Sequence, residues 1–453
     1  MKKRKFDVIV IGAGSGLTIS SHAAQIGLKT AIVEKSTFGG TCLNRGCIPS
    51  KMLIHTADIA NTIRNSQKFG ITSKIKKIDW NAIQKRVWQH IDPDAREIEK
   101  ANVHNKNITV YKESAKFIDN HTIRVRDEFI TAEKIFICAG TRPSVPEIPG
   151  LNQIPYHTSD SVMRLKTQPK SIMIIGGGYI AAEMANFFSG IGTETYLAYR
   201  GDLLLNREDE EIAQKYTRLA PKQFNVILNS DPVNFSRKGN KIETTLEIKG
   251  KKIKLKTDVL LMATGRVPNT DILGIQNTAI KTSHGYIQIN DYTETSVKGI
   301  YAIGDIAGMY LFKHSANLEA QYSAINGLTG KKTPIDYSAM PHAIFTNPQI
   351  AGVGFTEQEL KEKKIPYLKG RYEYYHTGMG AALEEKDGFV KVLLDPKSEK
   401  ILGCHILGHE ASTLIHEVLV AMRSGLTASA IRKTIHIHPA LNEVVQRAFT
   451  NLG

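Results

Sequence analysis

The pattern that most constrains this chain is a strand, a glycine-rich turn, a helix and a second strand, written twice. The first copy is "FDVIVIGAGSGLTISSHAAQIGLKTAIVEK", residues 6–35. Its apolar run Val8–Ile11 has the unbroken hydrophobicity of a parallel strand buried on both faces. Gly12 and Gly14 let the chain turn tightly and bring backbone close to a pyrophosphate at the N-terminus of the next helix. Glu34, followed by Lys35, closes the second strand about twenty residues beyond Gly14, where a carboxylate accepts hydrogen bonds from ribose hydroxyls. Leu17 stands where a third glycine is usual, and the neighbouring Gly16, counted with Gly12 and Gly14 as a cofactor contact, is expected to ease the packing of helix on strand.

The second copy is "SIMIIGGGYIAAEMANFFSGIGTETYLAYR", residues 171–200. It supplies Gly176, Gly178 and Ala181, but ends on Arg200 instead of an acid. A guanidinium there suits a 2′-phosphate. Two copies predict an α/β chain with two Rossmann-like dinucleotide-binding units, and 453 residues are enough for two to four domains. The stretches "KIFICAGTRPSVPEIPG" (134–150) and "DVLLMATGRVPNTDIL" (258–273) share an apolar strand, a turn of small residues and Arg-x-Pro. They mark where the chain leaves one unit and re-enters it. In "GIYAIGDIAG" (299–308), Asp305 follows a strand and a glycine, well placed for a cofactor's ribityl hydroxyls.

Of four cysteines, Cys138 and Cys404 lie in apolar strand-like runs and read as buried thiols. Cys42 and Cys47 remain as a pair in "FGGTCLNRGCIPSK" (38–51). Three readings are open: a structural disulfide, half of a metal site, or a redox-active pair beside a cofactor. Apolar content of 42% and charged content of 23% are ordinary for a globular enzyme. No apolar run approaches the roughly 20 residues that span a bilayer, and Gly12 cuts short the apolar run after the basic N-terminus, which makes a poor secretory signal. A cytoplasmic protein without a membrane partner is expected. The net charge of +15 is dispersed. Its densest patches, 249–256 and 360–365, read as a solvated strand and a solvated helix end, so no nucleic-acid partner is expected.

Taken together, "GGTCLNRGCIPSK", the two G-x-G units, "ATGR", "AIGD" and a late "HPALNE" resemble the FAD-dependent pyridine nucleotide–disulfide oxidoreductases, in family order along essentially the whole chain. The resemblance implies a FAD domain (1–143 and 266–337) split by a NAD(P) domain (144–265), then an α+β dimerisation domain (338–453). It also implies one non-covalent FAD per subunit, a homodimer, no metal, and a small disulfide as substrate. The cysteine spacing agrees. Residues five apart in a regular helix have Cα atoms about 8.5 Å apart, whereas a disulfide needs roughly 4.4 to 6.8 Å. A Cys42–Cys47 bond would distort the turn, Gly46 allows that, and a strained disulfide is easier to reduce. A metal would need two further ligands, and no second cysteine pair offers them.

By the same resemblance, Cys47 is the thiol nearest the flavin and Cys42 the interchange thiol that attacks the substrate. Lys51 lies near flavin N5 and pairs with Glu183, and Tyr179 covers the nicotinamide face until the coenzyme arrives. Gly40, Thr41, Ala139, Gly140, Ile180, Gly265, Arg266, His314 and Ala316 complete the implied contacts to FAD and coenzyme. His438, held by Glu443, is the implied acid–base, with His436 as the decoy, and the dyad serves the other subunit's Cys42. Within the family, "YHTSDSVMRL", "YLFKHSANLEA" and "IHPALNEVV" are similar to mycothione reductases, which implies NADPH-dependent reduction of a low-molecular-weight disulfide. The alternative is dihydrolipoamide dehydrogenase activity with NAD(H). A flavin-binding structural protein would have lost Cys42, Cys47 or His438, and all three are present.

Overall fold

In the computed structural model, which describes residues 2–453, Val8–Ile11 is the middle strand of a five-stranded parallel sheet. The order is Ile300–Ala302, Lys134–Ile137, Val8–Ile11, Thr30–Val33, Ile108–Tyr111. All four residues of Val8–Ile11 are buried, because helices Gly16–Gln25 and Lys313–Leu328 cover one face and the antiparallel strands within 115–131 cover the other. The second copy builds a four-stranded parallel sheet in the order Asn225–Ile227, Glu194–Ala198, Ser171–Ile175, Val259–Met262. The two turns solve the same steric problem. Gly12 (φ +106°) and Gly176 (φ +141°) both run against a backbone carbonyl of a neighbouring strand end, that of Cys138 and that of Ala263. A side chain at either position would strike it, and φ there is open only to glycine.

The chain leaves the first unit and re-enters it side by side. Thr141–Pro143 pairs antiparallel with Arg266–Pro268, and the Ser144 N–H donates to the Gly265 carbonyl at 2.8 Å. The third part is a five-stranded antiparallel sheet, ordered Pro341–Ile344, Gln349–Gly354, Ile401–Gly408, Phe389–Leu394, Leu368–Glu373. Helices Ala411–Arg423 and Glu443–Thr450 bury their apolar stripes in the same core. Three further sheets complete the described residues, one of them the meander Asp231–Lys238, Lys241–Ile248, Lys251–Thr257. Its last strand carries most of the 249–256 lysines, largely exposed, and the 360–365 lysines begin at the end of helix Glu357–Glu362. Among the described residues no helix is long and apolar enough to cross a membrane.

Close contacts join the parts. Helix Tyr179–Gly190 of the second unit crosses helix Cys47–Asn65 of the first so closely that a Cβ on Gly190 would lie 2.5 Å from that of Ala57. Elsewhere Lys391, in the middle of the antiparallel sheet and fully buried, reaches Asp209 (2.8 Å), Glu357 (2.5 Å) and Glu211 (3.3 Å). A lysine buried this deeply is tolerated only because it is paired.

Candidate active site

Helix Gly40–Arg45 ends at Gly46, and helix Cys47–Asn65 starts immediately after it. Buried Asn44 fixes the turn by donating to the carbonyls of Phe38 (2.8 Å) and Gly40 (2.9 Å). The break at Gly46 (φ −139°, ψ −120°) folds the second helix back on the first. A Cβ there would sit 2.8 Å from the Thr41 carbonyl and 3.2 Å from the Cys42 Cα, so the close approach needs glycine. Across the break the two thiols, both free, are near enough for the Cys42 thiol to favour a Cys47 thiolate as its donor. That interaction raises Cys42 far above an ordinary thiol, with burial and the Cys47 charge adding and Lys313 opposing. The same interaction lowers Cys47 to about 7. Partial burial opposes that shift, Lys51 assists it and Glu183 counters Lys51. Cys47 is therefore the more readily ionised thiol of the pair.

Lys51 is one helical turn beyond Cys47, and its ammonium lies 2.9 and 2.8 Å from the two Glu183 carboxylate oxygens. The close helix crossing at Gly190 and Ala57 brings these two side chains together across 132 residues of sequence. Phe345 completes the arrangement. Its N–H donates to Glu183 Oε1 at 3.0 Å, and its ring lies 4.6 Å below the Lys51 ammonium.

Both cysteines open on a cleft of about 520 Å³. The turns of the first sheet contribute Gly12, Gly14, Glu34, Lys35, Ala139 and Gly140, and the cysteine segment contributes Gly40, Thr41, Cys42, Cys47 and Lys51. Tyr179, Ile180 and Glu183 come from the second unit, and Arg266, Asp305 and Ala316 from the returning chain. Glu34 accepts the Ala13 N–H (2.8 Å) and the Ser36 N–H (2.7 Å), which aims its carboxylate along the strand ends. Asp305 accepts the Thr141 hydroxyl at 2.7 Å, and Arg266 donates to that hydroxyl at 2.7 Å and lies 3.8 Å from the Asp305 carboxylate. These features suit FAD: a glycine turn that a side chain would block, an acid after the second strand, and a second acid at the far strand. When bound, FAD would accept a hydride from a nicotinamide and pass two electrons on.

Several expected contacts lie elsewhere. Gly16 does not line the cleft. A Cβ there would sit 2.8 Å from Val10 and 3.0 Å from Cys138, so its place is in helix-on-strand packing. Cys138 is only half-buried, because it borders the cleft, whereas Cys404 is buried. His314 turns away and bonds the Pro341 carbonyl through Nε2 at 2.8 Å. Gly176, Gly178 and Gly265 belong to the turns of the second unit, and Arg200 is exposed just beyond the strand Glu194–Ala198. His438 bonds Glu443 Oε1 through Nδ1 at 3.0 Å, with its side chain 77% exposed, and this bond holds the Glu443 carboxyl below its usual range. The dyad does not line the cleft of its own chain. His436 is different: its side chain is buried and faces Glu417 at 3.5 Å. Sequence reasoning missed Ser15, Thr141, Lys313 and Phe345. The one signal available was "FKHSANLEA", singled out but given no task for its lysine.

Comparison with known proteins bears on this arrangement. A family profile described as pyridine nucleotide-disulphide oxidoreductase matches residues 6–325, and that of the family's dimerisation domain matches 340–449. The mycothione reductase of Mycobacterium tuberculosis is 37% identical over 99% of both chains. The dihydrolipoyl dehydrogenase of Bacillus subtilis is 33% identical over 98% of this chain and 95% of its own. Among solved structures, the HOCl-induced flavoprotein disulfide reductase RclA of Escherichia coli superposes with a TM-score of 0.87 at 28% identity, covering 98% of this chain and 99% of its own.

Proposed function

The chain belongs to the pyridine nucleotide–disulphide oxidoreductase family, and on that premise we propose that it carries electrons from NADPH through FAD and the Cys42–Cys47 pair to a small disulfide, as mycothione and glutathione reductases do. The observation that carries this reading is the pair of free thiols brought together by the tight turn at Gly46, with the Lys51–Glu183 pair behind Cys47. Residues 1–143 with 266–337 would hold FAD, 144–265 the coenzyme, and 338–453 the dimer contact.

The residues divide the work. Cys47 holds its thiolate toward the cleft, with Lys51 as the nearby cation. Cys42 attacks one sulfur of the substrate, releasing the first thiol. Cys47 then attacks Cys42, releasing the second thiol and restoring the pair. The leaving thiolate needs a proton, and an imidazole is a side chain that can both give and take one. His438 has that role, with Glu443 orienting the ring and stabilising its charged form. Because the dyad stands away from its own cleft, it serves the Cys42 of a second subunit, and an isolated subunit is inactive. Exposed Arg200 favours NADPH, since NADH-specific units carry an acid there to hold the 2′-hydroxyl. The alternative is oxidation of dihydrolipoamide with NAD, in keeping with the second relative above. Steady-state rates with NADPH and NADH against mycothione, glutathione disulfide and lipoamide separate the two. Preference for lipoamide and NADH would overturn the first.

A further inference from the structure

We propose that Glu417 is a positioning residue for the acid–base histidine: its one carboxylate holds both feet of the segment that presents His438, through His436 on one side and Asn442 on the other. The inference rests on the reading of His438 as the group that protonates the leaving thiolate.

The segment needs such a hold. Residues 434–442 run between helices Ala428–Lys433 and Glu443–Thr450 and belong to no helix or strand. Ile435 is 96% exposed, Ile437 is 78% exposed, and His438 is exposed beside them. Burial within the chain therefore does little to fix this stretch. Between the two isoleucines His436 turns the other way, with its side chain only 5% exposed. It meets helix Ala411–Arg423, where its Nε2 lies 3.5 Å from Glu417 Oε1. The other oxygen of that carboxylate accepts from the Asn442 amide at 3.4 Å. Asn442 stands at the N-cap of helix Glu443–Thr450, where an asparagine ordinarily bonds a backbone N–H of its own helix. Among the described residues it makes no such bond, and its amide reaches Glu417 instead. His438 is two residues from the first foot, and Glu443 is next to the second.

The contact with His436 holds a proton. Nδ1 of His436 faces the Thr434 carbonyl at 3.0 Å, and a carbonyl only accepts, so Nδ1 carries its hydrogen. In a neutral imidazole Nε2 would then be bare. Its lone pair would face Glu417 Oε1, which is buried and has no hydrogen-bond partner among the described residues. One further proton on the pair turns that conflict into an attraction, imidazolium against carboxylate. The surroundings fit this pairing. Burial pushes the Glu417 carboxyl up, and His436 and Asn442 oppose it. From the sheet, the buried Cys404 thiol feels the Glu417 charge. From helix Glu443–Thr450, Gln446 donates to the Thr434 carbonyl at 3.2 Å.

The need follows from the chemistry. Proton transfer to a leaving thiolate requires the imidazole within about 2.6–3.2 Å of the sulfur's proton path. Glu443 sets the rotation of the His438 ring from the second foot alone. Glu417 joins that foot to the first, so the ring is held from both directions along the chain.

The test uses the FAD-loaded full-length protein with saturating NADPH and whichever of mycothione, glutathione disulfide and lipoamide the parent reduces fastest. Glu417→Leu removes both holds and should lower disulfide turnover about 10- to 100-fold, the cost of a misplacement of about 1 Å. Flavin reduction by NADPH in stopped-flow, and the sedimentation of the protein, should stay as in the parent. Glu417→Gln keeps an acceptor for Asn442 and brings its own N–H to a bare Nε2, so it should keep most of the parent rate. In a His438→Ala background Glu417→Leu should cost nothing further, because a positioning residue acts only through the group it positions. Parent turnover in Glu417→Leu overturns the proposal. So does a further loss in the His438→Ala background, or an equal loss in flavin reduction, either of which would make Glu417 merely structural. If Glu417→Leu does not load FAD, Asn442→Ala decides, since it frees one foot and leaves the carboxylate in place: parent turnover in it overturns the proposal, and a loss that vanishes in the His438→Ala background supports it. Full disulfide turnover by His438→Ala enzyme would instead overturn the underlying reading of His438.

Discussion

The acidity of Cys47 gives the sharpest test of the site. Its thiol stands at about 7 instead of 9.0, and the first cause is the hydrogen bond from Cys42. Partial burial pulls the other way, and the help from Lys51 is countered by Glu183. Without the Cys42 donor nothing large remains to hold Cys47 down, so in Cys42→Ala its midpoint should return to 9 or above. At pH 7 the thiolate fraction would fall from about half to about 1%. Cys42→Ser, which keeps a hydroxyl donor, should titrate near the parent value. The assay is the long-wavelength band that a Cys47 thiolate gives in contact with bound flavin, followed against pH in both variants. FAD contributes equally to both, so their difference is the readout. If Cys42→Ala titrates together with Cys42→Ser, the hydrogen bond across Gly46 is not what acidifies Cys47, and the reasoning fails.

Further outcomes follow from other parts of the molecule. His438→Ala should lower disulfide turnover about 10²- to 10⁴-fold while flavin reduction by the nicotinamide hardly changes in stopped-flow; an equal loss in both would point to a broken dimer. Arg200→Glu should raise KM for NADPH and move preference toward NADH, with the difference shrinking as salt is added; a parent enzyme that already favours NADH would refute this. Lys391→Met should cost about 3–5 kcal/mol in denaturant unfolding, because it leaves buried carboxylates unpaired. Burial alone would push Asp209 up, yet His405 and Lys391 hold it below its usual range. That stabilisation is full at neutral pH and is lost as pH falls through the depressed value, and the Lys391→Met loss should shrink in the same window.

What the sequence made legible was local. Each strand, glycine turn and helix lies within thirty consecutive residues, and the periodicity of burial changes visibly from strand to helix. The cysteine turn was readable for the same reason, since Cys42, Gly46 and Cys47 sit within six residues. What stayed hidden was brought together by packing. Lys313 and Ser15 are 298 residues apart and meet because two helices lie side by side. Lys391 and Asp209 are 182 apart, one on a strand and the other capping a helix, and meet only in the folded chain. His314 was expected at the cofactor, and the rotation of its helix carries the ring to Pro341 instead. Gly16, two residues beyond Gly14, is the first residue of the helix and faces Val10 and Cys138 instead of the cleft.

The side-by-side exit and return of the chain at Ser144 and Gly265 make the intervening 120 or so residues look like a cassette. Because the two ends are hydrogen-bonded neighbours, a short linker could close the gap after excision, and the first parallel sheet would keep its strand order, since all five of its strands lie outside that span. The cassette is separable in backbone only. Its removal would take Glu183 from Lys51 and bare Ala57 where Gly190 now presses, leaving the redox cysteine beside an uncompensated cation. A transplant of a foreign unit into this scaffold would therefore need three inherited positions, a carboxylate that meets Lys51, a glycine narrow enough to lie against Ala57, and an acid in place of Asp209 to meet buried Lys391.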